Sequence, residues 1–217
     1  MTRDTAVPDP ARHQIVTMLE LQDDMNRRVH PDWRSQDFAW YRAVWIECAE
    51  LLDHYGWKWW KKQKPDLDQV KLELVDIWHF GLSILLLGSD TLEQIAAEIA
   101  EGLGEGSSSG DFRTDLEDFT LITLQTKAFS VAAFARLLDG VGMGFEELYG
   151  RYVGKNVLNF FRQDNGYQEG TYTKSWQGRE DNEHLVEIVE RLDVWRDDFK
   201  DELYRELSLR YRREVSA

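Results

Sequence analysis

The sequence has almost no cysteine, no long apolar run and a shortage of basic residues. Its one cysteine, Cys48, has no second cysteine in the chain with which to form a disulfide. The longest compact apolar run, residues 84–87, is far shorter than the roughly 20 residues that a helix needs to cross a bilayer. Residues 1–22 contain no apolar core followed by a cleavage site. We therefore expect a cytoplasmic protein that has no membrane contact.

The shortage of basic residues limits the possible partners. The chain has 26 Lys and Arg residues against 40 Asp and Glu residues, and its formal net charge is -14. Binding to a nucleic-acid polymer without regard to sequence requires a basic surface, so this class of function is excluded. An acidic protein can still bind a polyphosphate, provided that metal ions or a few well-placed cationic side chains offset the repulsion.

The dominant pattern is the recurrence of apolar residues every three or four positions. It predicts helices at residues 15–25, 37–55, 66–87, 115–139, 145–162 and 182–213. Because no segment shows the alternation typical of strands, the sequence predicts an all-α helical bundle. The expected organisation is an N-terminal tail at residues 1–14 and a single domain at residues 15–217. Within that domain, the Gly/Ser-rich residues 101–110 are expected to form a flexible connection.

Two pairs of carboxylates share one spacing on the two predicted helices that precede residue 88. Glu47 and Glu50 are three residues apart, as are Glu73 and Asp76, so each pair lies on one face of its helix. If the helices pack against each other, the pairs converge into a cluster of four carboxylates. Mg²⁺ prefers oxygen ligands and removes the penalty of crowding such charges, so the sequence predicts a magnesium site.

The competing interpretation is that both pairs are solvated helix faces, as is usual in acidic proteins. Strongly apolar neighbours weaken this interpretation, namely Trp45, Ile46, Leu51, Leu52, Leu72, Leu74, Ile77 and Trp78. The sequence contains no Ser-His-Asp arrangement, no phosphate-binding glycine loop and no zinc-ligand spacing. Cys48 lies between two of the carboxylates and is expected in the core rather than as a nucleophile.

Four further motifs accompany the carboxylate pairs. They are LQDDMN at residues 21–26, ELLD at 50–53 leading to WKWWK at 57–61, ELVDIWHF at 73–80, and GKNVLNFFRQDNGY at 154–167. Together with the carboxylate pairs, they resemble the dimeric dUTPases. This family belongs to the all-α nucleoside triphosphate pyrophosphatase superfamily, which also contains the MazG-like enzymes. The resemblance covers residues 22–182 and leaves the last predicted helix largely unmatched.

The resemblance implies a dUTP diphosphatase. In such an enzyme the catalytic and metal-binding residues would be Glu47, Glu50, Glu73 and Asp76, which would hold two or three Mg²⁺ ions, and Glu47 would also help to activate the attacking water. The enzyme would convert dUTP, and also dUDP, to dUMP, which lowers dUTP and supplies dUMP for thymidylate synthesis. The resemblance also implies a homodimer, helix-swapped or intimately packed, and the aromatic-rich residues 119–138 offer apolar surface for one.

By the same resemblance, substrate-binding roles fall on both halves of the chain. In the first half they are Gln22 and Asn26 at the uracil edge, Trp60 stacked on the base, Lys61 at a phosphate, and His79 with Phe80 against the deoxyribose. In the second half they are Lys155, Asn159 and Arg162 facing the nucleotide, Asn165 and Tyr167 closing over the base, and Lys174 at a phosphate.

Several of these residues have a plainer interpretation. Amides on a helix are usually exposed, and a lone histidine is usually part of the core. Asp53 follows Glu50 by three residues and could orient a metal-bound water, but a solvated carboxylate explains it equally well, so it is not counted among the metal ligands. At least one residue of the cluster Trp57, Trp59 and Trp60 is expected in the core.

Two alternative functions stay open at this level. The first is a dCTP pyrophosphatase, or one of broad specificity, on the same scaffold. The second is a catalytically idle helical protein that senses a nucleotide and binds a regulatory protein partner.

Overall fold

The computed structural model describes the backbone of residues 9–88 and 90–215, and the side chains of residues 11–88 and 90–212. Apart from one two-stranded hairpin, the regular secondary structure of the described residues is helical, which confirms the predicted all-α fold class. It divides into two compact units, Met1–Phe145 and Glu146–Ala217. Among the described residues, no helix combines the length and apolar character needed to span a membrane. The single domain at residues 15–217 stays a prediction.

The first unit contains six α-helices and one short 3₁₀ helix in its described part. The helices are α1 Asp9–Val29, α2 Trp40–Tyr55, α3 Leu67–Leu85, α4 Leu92–Glu105, α5 Phe112–Thr126 and α6 Val131–Gly140, and the 3₁₀ helix is Trp33–Ser35. The most extensive helix contact joins α2 to α3, while α1 packs on α3 and α4. The two helices that carry the paired carboxylates are therefore neighbours.

Side-chain caps fix where several of these helices begin. The Asp66 carboxylate accepts a hydrogen bond from the Gln69 amide at the start of α3, and Ser130 accepts one from Ala133 at the start of α6. At the start of α4, Thr91 and Gln94 exchange hydrogen bonds in a capping box. Each such cap contributes about 1 kcal/mol to stability. The Asp66 cap fixes the first residue of α3 and therefore the positions of Glu73 and Asp76 along that helix.

Helix α1 begins earlier than the sequence predicts. The expected start was residue 15, after a tail at residues 1–14, but residues 9–14 are already helical. Pro10 lies in the first turn, where a proline is tolerated because its missing amide hydrogen would have no helical partner. The rest of the expected tail, residues 1–8, lies outside the described residues.

The single helix expected at residues 115–139 is in fact two helices, α5 and α6. Lys127 adopts a left-handed conformation with φ of 56° and donates its amide hydrogen to the Thr123 carbonyl, which ends α5. Phe129, in the connection, is buried and packs on Phe119 and Phe134. The break thus places an aromatic ring in the core. Helices usually end on glycine in this conformation, so a lysine at this position did not predict the break.

The core of the first unit is an aromatic cluster formed by Trp78, Phe119, Phe129 and Phe134. Trp78 stacks on Phe134 with ring centroids 5.1 Å apart, and it meets Phe129 edge-on at 5.8 Å. Gly81, one turn after Trp78 in α3, lies so close to the Phe129 ring that a Cβ atom would overlap it. This close approach anchors the middle of α3, the segment that also carries Asp76.

The Gly/Ser-rich connection is shorter than expected and is hydrogen-bonded. Residues 101–105 belong to α4, which leaves residues 106–111 as the connection. The Ser108 hydroxyl and the Ser109 amide both donate to the buried Asp115 carboxylate, at 2.7 and 3.0 Å, and the Ser108 amide donates to Asp139 at 3.0 Å. The serines therefore satisfy carboxylates on α5 and α6.

The second unit contains three helices and a small hairpin in its described part. They are α7 Phe145–Asp164, the antiparallel strands β1 Ser175–Trp176 and β2 Arg179–Glu180, then α8 Asp181–Val189 and α9 Phe199–Val215. The single helix expected at residues 182–213 is thus wrong. Residues 190–198 interrupt it, where the Asp193 side chain accepts a hydrogen bond from the Trp195 amide and Val194 is buried. Local aspartate turns of this kind compete with helix formation.

Candidate active site

Three carboxylates meet where α2 packs on α3. One oxygen from each of Glu47, Glu73 and Asp76 lies within 4.8 Å of the other two. Cys48 and Leu51 are buried on α2, and Leu74 and Ile77 are buried on α3, so core packing fixes the rotation of both helices. Glu47, Glu73 and Asp76 each come immediately before one of these buried residues, so the three carboxylates converge where the two helices meet.

The cluster is electrostatically costly without a cation. Partial burial, followed by the charges of Asp76, Glu50 and Glu73, raises the pKa of Glu47 to about 7. Burial and the Asp76 charge also raise the pKa of Glu73. The nearest basic group to Glu73 is His54, whose Nε2 lies 3.5 Å from Oε1. Crowded carboxylates resist ionisation because their negative charges repel one another, and a divalent cation relieves that repulsion. Their oxygens are the ligands that a hard cation such as Mg²⁺ prefers.

The fourth predicted ligand, Glu50, is placed differently from the other three. It lies one turn after Glu47 on α2, its side chain is exposed, and it is not part of the group within 4.8 Å. Its charge nevertheless acts on both Glu47 and Glu73, as their raised pKa values record. The structure therefore brings together three carboxylates and places the fourth at their margin.

Asp53 is hydrogen-bonded to the loop that follows α2. Its carboxylate accepts hydrogen bonds from Trp57 Nε1 at 2.9 Å and from Lys58 Nζ at 3.3 Å. These hydrogen bonds, first that of Trp57, lower the pKa of Asp53. Asp53 thus contacts the loop that follows α2.

The Trp/Lys loop, residues 57–64, is exposed, contrary to the expectation that at least one of its tryptophans is in the core. The side chains of Trp57, Trp59 and Trp60 are 45%, 90% and 57% exposed. Trp60 contacts the other two edge-on, with centroids 5.3 and 5.5 Å apart. Apolar rings left in water offer a stacking surface for a base. Lys61, next to Trp60, is also exposed.

Hydrogen bonds hold the Trp/Lys loop near both of its ends. Arg113 of α5 donates two hydrogen bonds to the Gly56 carbonyl, one of them from Nε at 2.7 Å, and its guanidinium stacks over the Tyr55 ring. The Gln63 side chain accepts a hydrogen bond from the Lys58 amide at 2.6 Å. The sequence pattern did not single out Arg113 or Gln63, because neither contact follows from helical spacing.

A buried polar cluster joins α1 to α3 and contains both predicted base-reading amides. Gln22 and Asn26 are 4% and 3% exposed, so the expectation that amides at this spacing face solvent does not apply. Gln22 Nε2 donates to Asn26 Oδ1 at 3.0 Å and to Ser83 Oγ at 3.1 Å, while His79 Nδ1 lies 3.0 Å from Gln22 Oε1. Ser83 was not among the residues predicted from the sequence, although it lies one helical turn after His79.

Phe80 lies one turn after Asp76 and is half-buried beside the Trp40 ring, with centroids 6.3 Å apart. Trp40 in turn meets Phe38 and the buried Trp33 edge-on. The first unit thus places every substrate residue predicted for it on or beside α1, α3 and the Trp/Lys loop.

In the second unit, α7 carries three of the predicted substrate residues. Arg162 is held by Asp181 and lies 3.4 Å from Asn159 Oδ1, while Lys155 is half-buried. Asp181, which Tyr172 also contacts with its hydroxyl at 2.8 Å, was not predicted as a partner of Arg162. Arg162 and Asp181 are 19 residues apart, and helical periodicity does not predict a contact at that separation.

The turn after α7 carries the other three predicted substrate residues. Asn165 caps the helix by donating to the Phe161 carbonyl at 2.8 Å. Tyr167 is exposed, and the Lys174 ammonium lies 5.6 Å from the centre of its ring. These contacts are local to the second unit.

Comparison with known families agrees with these observations. The family model described as dUTPase matches residues 14–167, which is more than two thirds of the chain. The match includes the three clustered carboxylates, the buried amides and the Trp/Lys loop. Lys174 and Asp181 lie beyond it. A search of curated proteins gave no match.

Proposed function

Because the chain belongs to the dUTPase family, we propose that it hydrolyses dUTP and dUDP to dUMP in a magnesium-dependent reaction at Glu47, Glu73 and Asp76. Membership of the family makes the chain a dUTP-hydrolysing nucleotide pyrophosphatase. The identity of the metal, the use of dUDP and the assignment of the site are our proposals.

The observation that carries the proposal is the convergence of three carboxylates from two rigidly packed helices within 4.8 Å. Such a concentration of negative charge repels a polyphosphate, so a substrate can approach only if a cation lies between the two. Glu47, Glu73 and Asp76 would hold it, with Glu50 at the margin as a further ligand. When bound, Mg²⁺ supplies positive charge that neutralises the polyphosphate and acidifies water, and two or three ions can share such a site.

The side chains of the first unit supply binding and proton transfer. Glu47 accepts the proton of the attacking water, and Lys61 contacts a phosphate. Trp60 stacks on the base, Gln22 and Asn26 read its edge, and Phe80 with His79 packs against the sugar, where a 2′-hydroxyl would be excluded.

The proposal also gives substrate-binding roles to side chains of the second unit, which is described by itself. Lys155, Asn159, Arg162 and Lys174 contact the nucleotide, while Asn165 and Tyr167 close over the base. In an acidic chain, the cations Lys155 and Arg162 on one helix offset the charge of a polyphosphate, while the neutral Asn159 amide offers hydrogen bonds.

We place the attack at the β phosphorus, which leaves the γ phosphate dispensable and makes dUDP a substrate alongside dUTP. In ¹⁸O-labelled water, the label should appear in pyrophosphate from dUTP and in phosphate from dUDP. Label in dUMP would contradict attack at the β phosphorus. Inertness towards dUDP would contradict the proposal that the α and β phosphates suffice for recognition.

We also propose that the protein is a cytoplasmic homodimer whose product supplies thymidylate synthesis. Support for the dimer comes from α5, where Leu121 and Leu124 are exposed although the opposite side of the helix is in the core. Exposed large apolar side chains on one helix favour association with a second copy. A monomeric mass by light scattering at full activity would contradict the dimer.

The decisive test is a substrate panel with and without millimolar Mg²⁺. We expect hydrolysis of dUTP and dUDP only with the metal, and little hydrolysis of dCTP or other deoxynucleotides. Equal hydrolysis of dCTP would favour the broader pyrophosphatase. No hydrolysis of any nucleotide, with nucleotide binding retained, would favour a sensor that acts through a protein partner.

A further inference from the structure

Gln22, Asn26, His79 and Ser83 are joined by hydrogen bonds into one buried cluster, hereafter the amide cluster. Gln22 and Asn26 are one turn apart on α1, and His79 and Ser83 are one turn apart on α3. Ser83 is fully buried, at 0% exposure, and its hydroxyl lies between the two amides. We infer that Ser83 is a positioning residue that fixes the orientation of both amides and thereby sets the preference for uracil over cytosine. This inference rests on the proposed role of Gln22 and Asn26 in reading the base.

The hydrogen of the Ser83 hydroxyl has a backbone acceptor on its own helix. Ser83 Oγ donates to the His79 carbonyl at 3.1 Å, one turn earlier on α3. With its hydrogen used there, the oxygen acts as an acceptor towards α1. It receives one hydrogen bond from Gln22 Nε2 at 3.1 Å and one from Asn26 Nδ2 at 3.0 Å.

An amide pair of this kind has two self-consistent orientations. In the first, Gln22 donates to Asn26 Oδ1, as in the structure. In the second, both amides are rotated by half a turn, so that Asn26 donates to Gln22 and both carbonyl oxygens face Ser83. In the second orientation, the carbonyl oxygens of Gln22 and Asn26 would both need the single hydrogen of the Ser83 hydroxyl. Ser83 would then lose its hydrogen bond to the His79 carbonyl. Because buried polar groups are expensive to leave unmatched, Ser83 selects the first orientation.

The selected orientation determines what Gln22 offers to a ligand. Both hydrogens of its Nε2 are donated inside the amide cluster, to Asn26 and to Ser83. Its Oε1 lies 3.0 Å from His79 Nδ1 and in this orientation accepts from the His79 tautomer that carries its hydrogen on Nδ1, so the polarity of Gln22 on that side is that of an acceptor. The N3 atom of uracil carries a hydrogen and can donate to an acceptor, whereas the N3 atom of cytosine carries a lone pair. An acceptor held in place therefore favours uracil and repels cytosine.

The variant Ser83→Ala removes the hydroxyl that distinguishes the two orientations, with the smallest possible change of shape. We expect the ratio of kcat/KM for dUTP to kcat/KM for dCTP to fall by about tenfold or more, mainly through a higher KM for dUTP and a lower KM for dCTP. The value of kcat for dUTP should change much less, since Ser83 lies about two helical turns after Asp76 on α3 and its hydrogen bonds among the described residues go to the amide cluster rather than to the carboxylates. Ser83→Thr, which keeps a hydroxyl, should restore the ratio.

Ser208→Ala is a matched control. Ser208 also donates to the backbone carbonyl one turn earlier, that of Tyr204, at 2.9 Å, but it lies on α9, outside the matched family region. It should leave the ratio unchanged. A folded Ser83→Ala protein with the wild-type ratio would overturn the inference.

A spectroscopic measurement covers the case in which Ser83→Ala folds poorly. In the wild-type protein, the side-chain NH₂ resonances of Gln22 and Asn26 should exchange slowly with water because both groups donate inside the core. In Ser83→Cys, whose sulfur is a weak acceptor, we expect these resonances to shift and to exchange faster. Unchanged resonances would overturn the inference. If instead Gln22→Ala leaves the ratio unchanged, the base-reading role itself fails, independently of Ser83.

Discussion

Arg162 and Asp181 form a two-pronged ion pair within the second unit. Arg162 Nε and Nη2 each lie 2.8 Å from a different oxygen of the Asp181 carboxylate, which is 1% exposed. The pair joins α7 to the first residue of α8. Two parallel charge-assisted hydrogen bonds fix the direction of the guanidinium as well as its distance. Arg162 is therefore preorganised by a partner that lies beyond the matched family region.

Removing one member of this pair should destabilise the protein. We expect Asp181→Ala to lower the free energy of unfolding by about 3–5 kcal/mol, because it leaves a largely buried guanidinium without its counter-charge. Urea unfolding measures the change. The matched control is Glu202→Ala, which removes the partner of Arg205 in an exposed pair and should cost about 1 kcal/mol or less. Equal losses in the two variants would contradict the structural role of the buried pair.

The same pair predicts a dependence of stability on pH. Burial alone would raise the pKa of Asp181, but hydrogen bonds from Arg162 and Tyr172 outweigh it and hold the pKa below the ordinary value of 3.8. A carboxyl group whose pKa is lower in the folded state contributes stability above the unfolded pKa and loses it as the pH falls through the folded pKa. The stability difference between wild type and Asp181→Asn should therefore shrink below about pH 4. A constant difference down to acid unfolding would contradict this assignment.

The carboxylate cluster predicts a link between magnesium and stability. Mg²⁺ should raise the Tm of the wild-type protein, because a ligand that binds the folded state stabilises it and here also relieves repulsion. In Glu47→Gln the Mg²⁺-dependent rise in Tm should be largely lost, and turnover should fall by about a hundredfold or more. Glu50→Gln should also abolish turnover and leave the circular dichroism unchanged.

The control for the magnesium prediction is Glu98→Gln on the exposed face of α4, which should behave like the wild type. A full Mg²⁺ response and normal activity in Glu47→Gln would refute the metal assignment. Near-normal activity of Glu50→Gln at millimolar Mg²⁺ would likewise show that the assignment of Glu50 to the metal site is wrong.

The contact between Gly81 and Phe129 predicts a packing defect. In Gly81→Ala the new methyl group would overlap the buried Phe129 ring, so we expect a loss of about 1–3 kcal/mol in the free energy of unfolding. Adding Phe129→Leu should recover part of this loss, because the smaller side chain makes room. Additive losses in the double variant would show that the two residues do not share space.

The carboxylate arrangement could be predicted from the sequence because helical spacing is a local property. Glu47, Glu73 and Asp76 follow buried residues at fixed offsets, so periodicity alone specified the shared faces of α2 and α3. Ser83 and Arg113 could not be found in this way. Their roles depend on which atoms of another helix they meet, and that information is not present in the spacing of residues along one helix.

The helix boundaries that were wrong have a common physical cause. Lys127 ends α5 in a conformation usually reserved for glycine, and Asp193 turns the chain within a segment whose apolar residues continue at helical spacing through Leu192 and Trp195. In both places a buried side chain, Phe129 or Val194, offsets the cost of leaving the helix. Periodicity records which residues are buried but not whether the helix is continuous between them.

The exposed Trp/Lys loop makes the protein its own optical probe. The nine tryptophans include Trp33, Trp78 and Trp176 in the core, with at most 2% exposure, whereas Trp59 is 90% exposed. Water around an indole shifts its emission to longer wavelength and opens it to collisional quenchers, so buried and exposed rings emit as separable populations. A molecule that covers the loop would shield only the red-emitting population. Occupancy of this surface could thus be followed by quenching with iodide, without a label and without turnover.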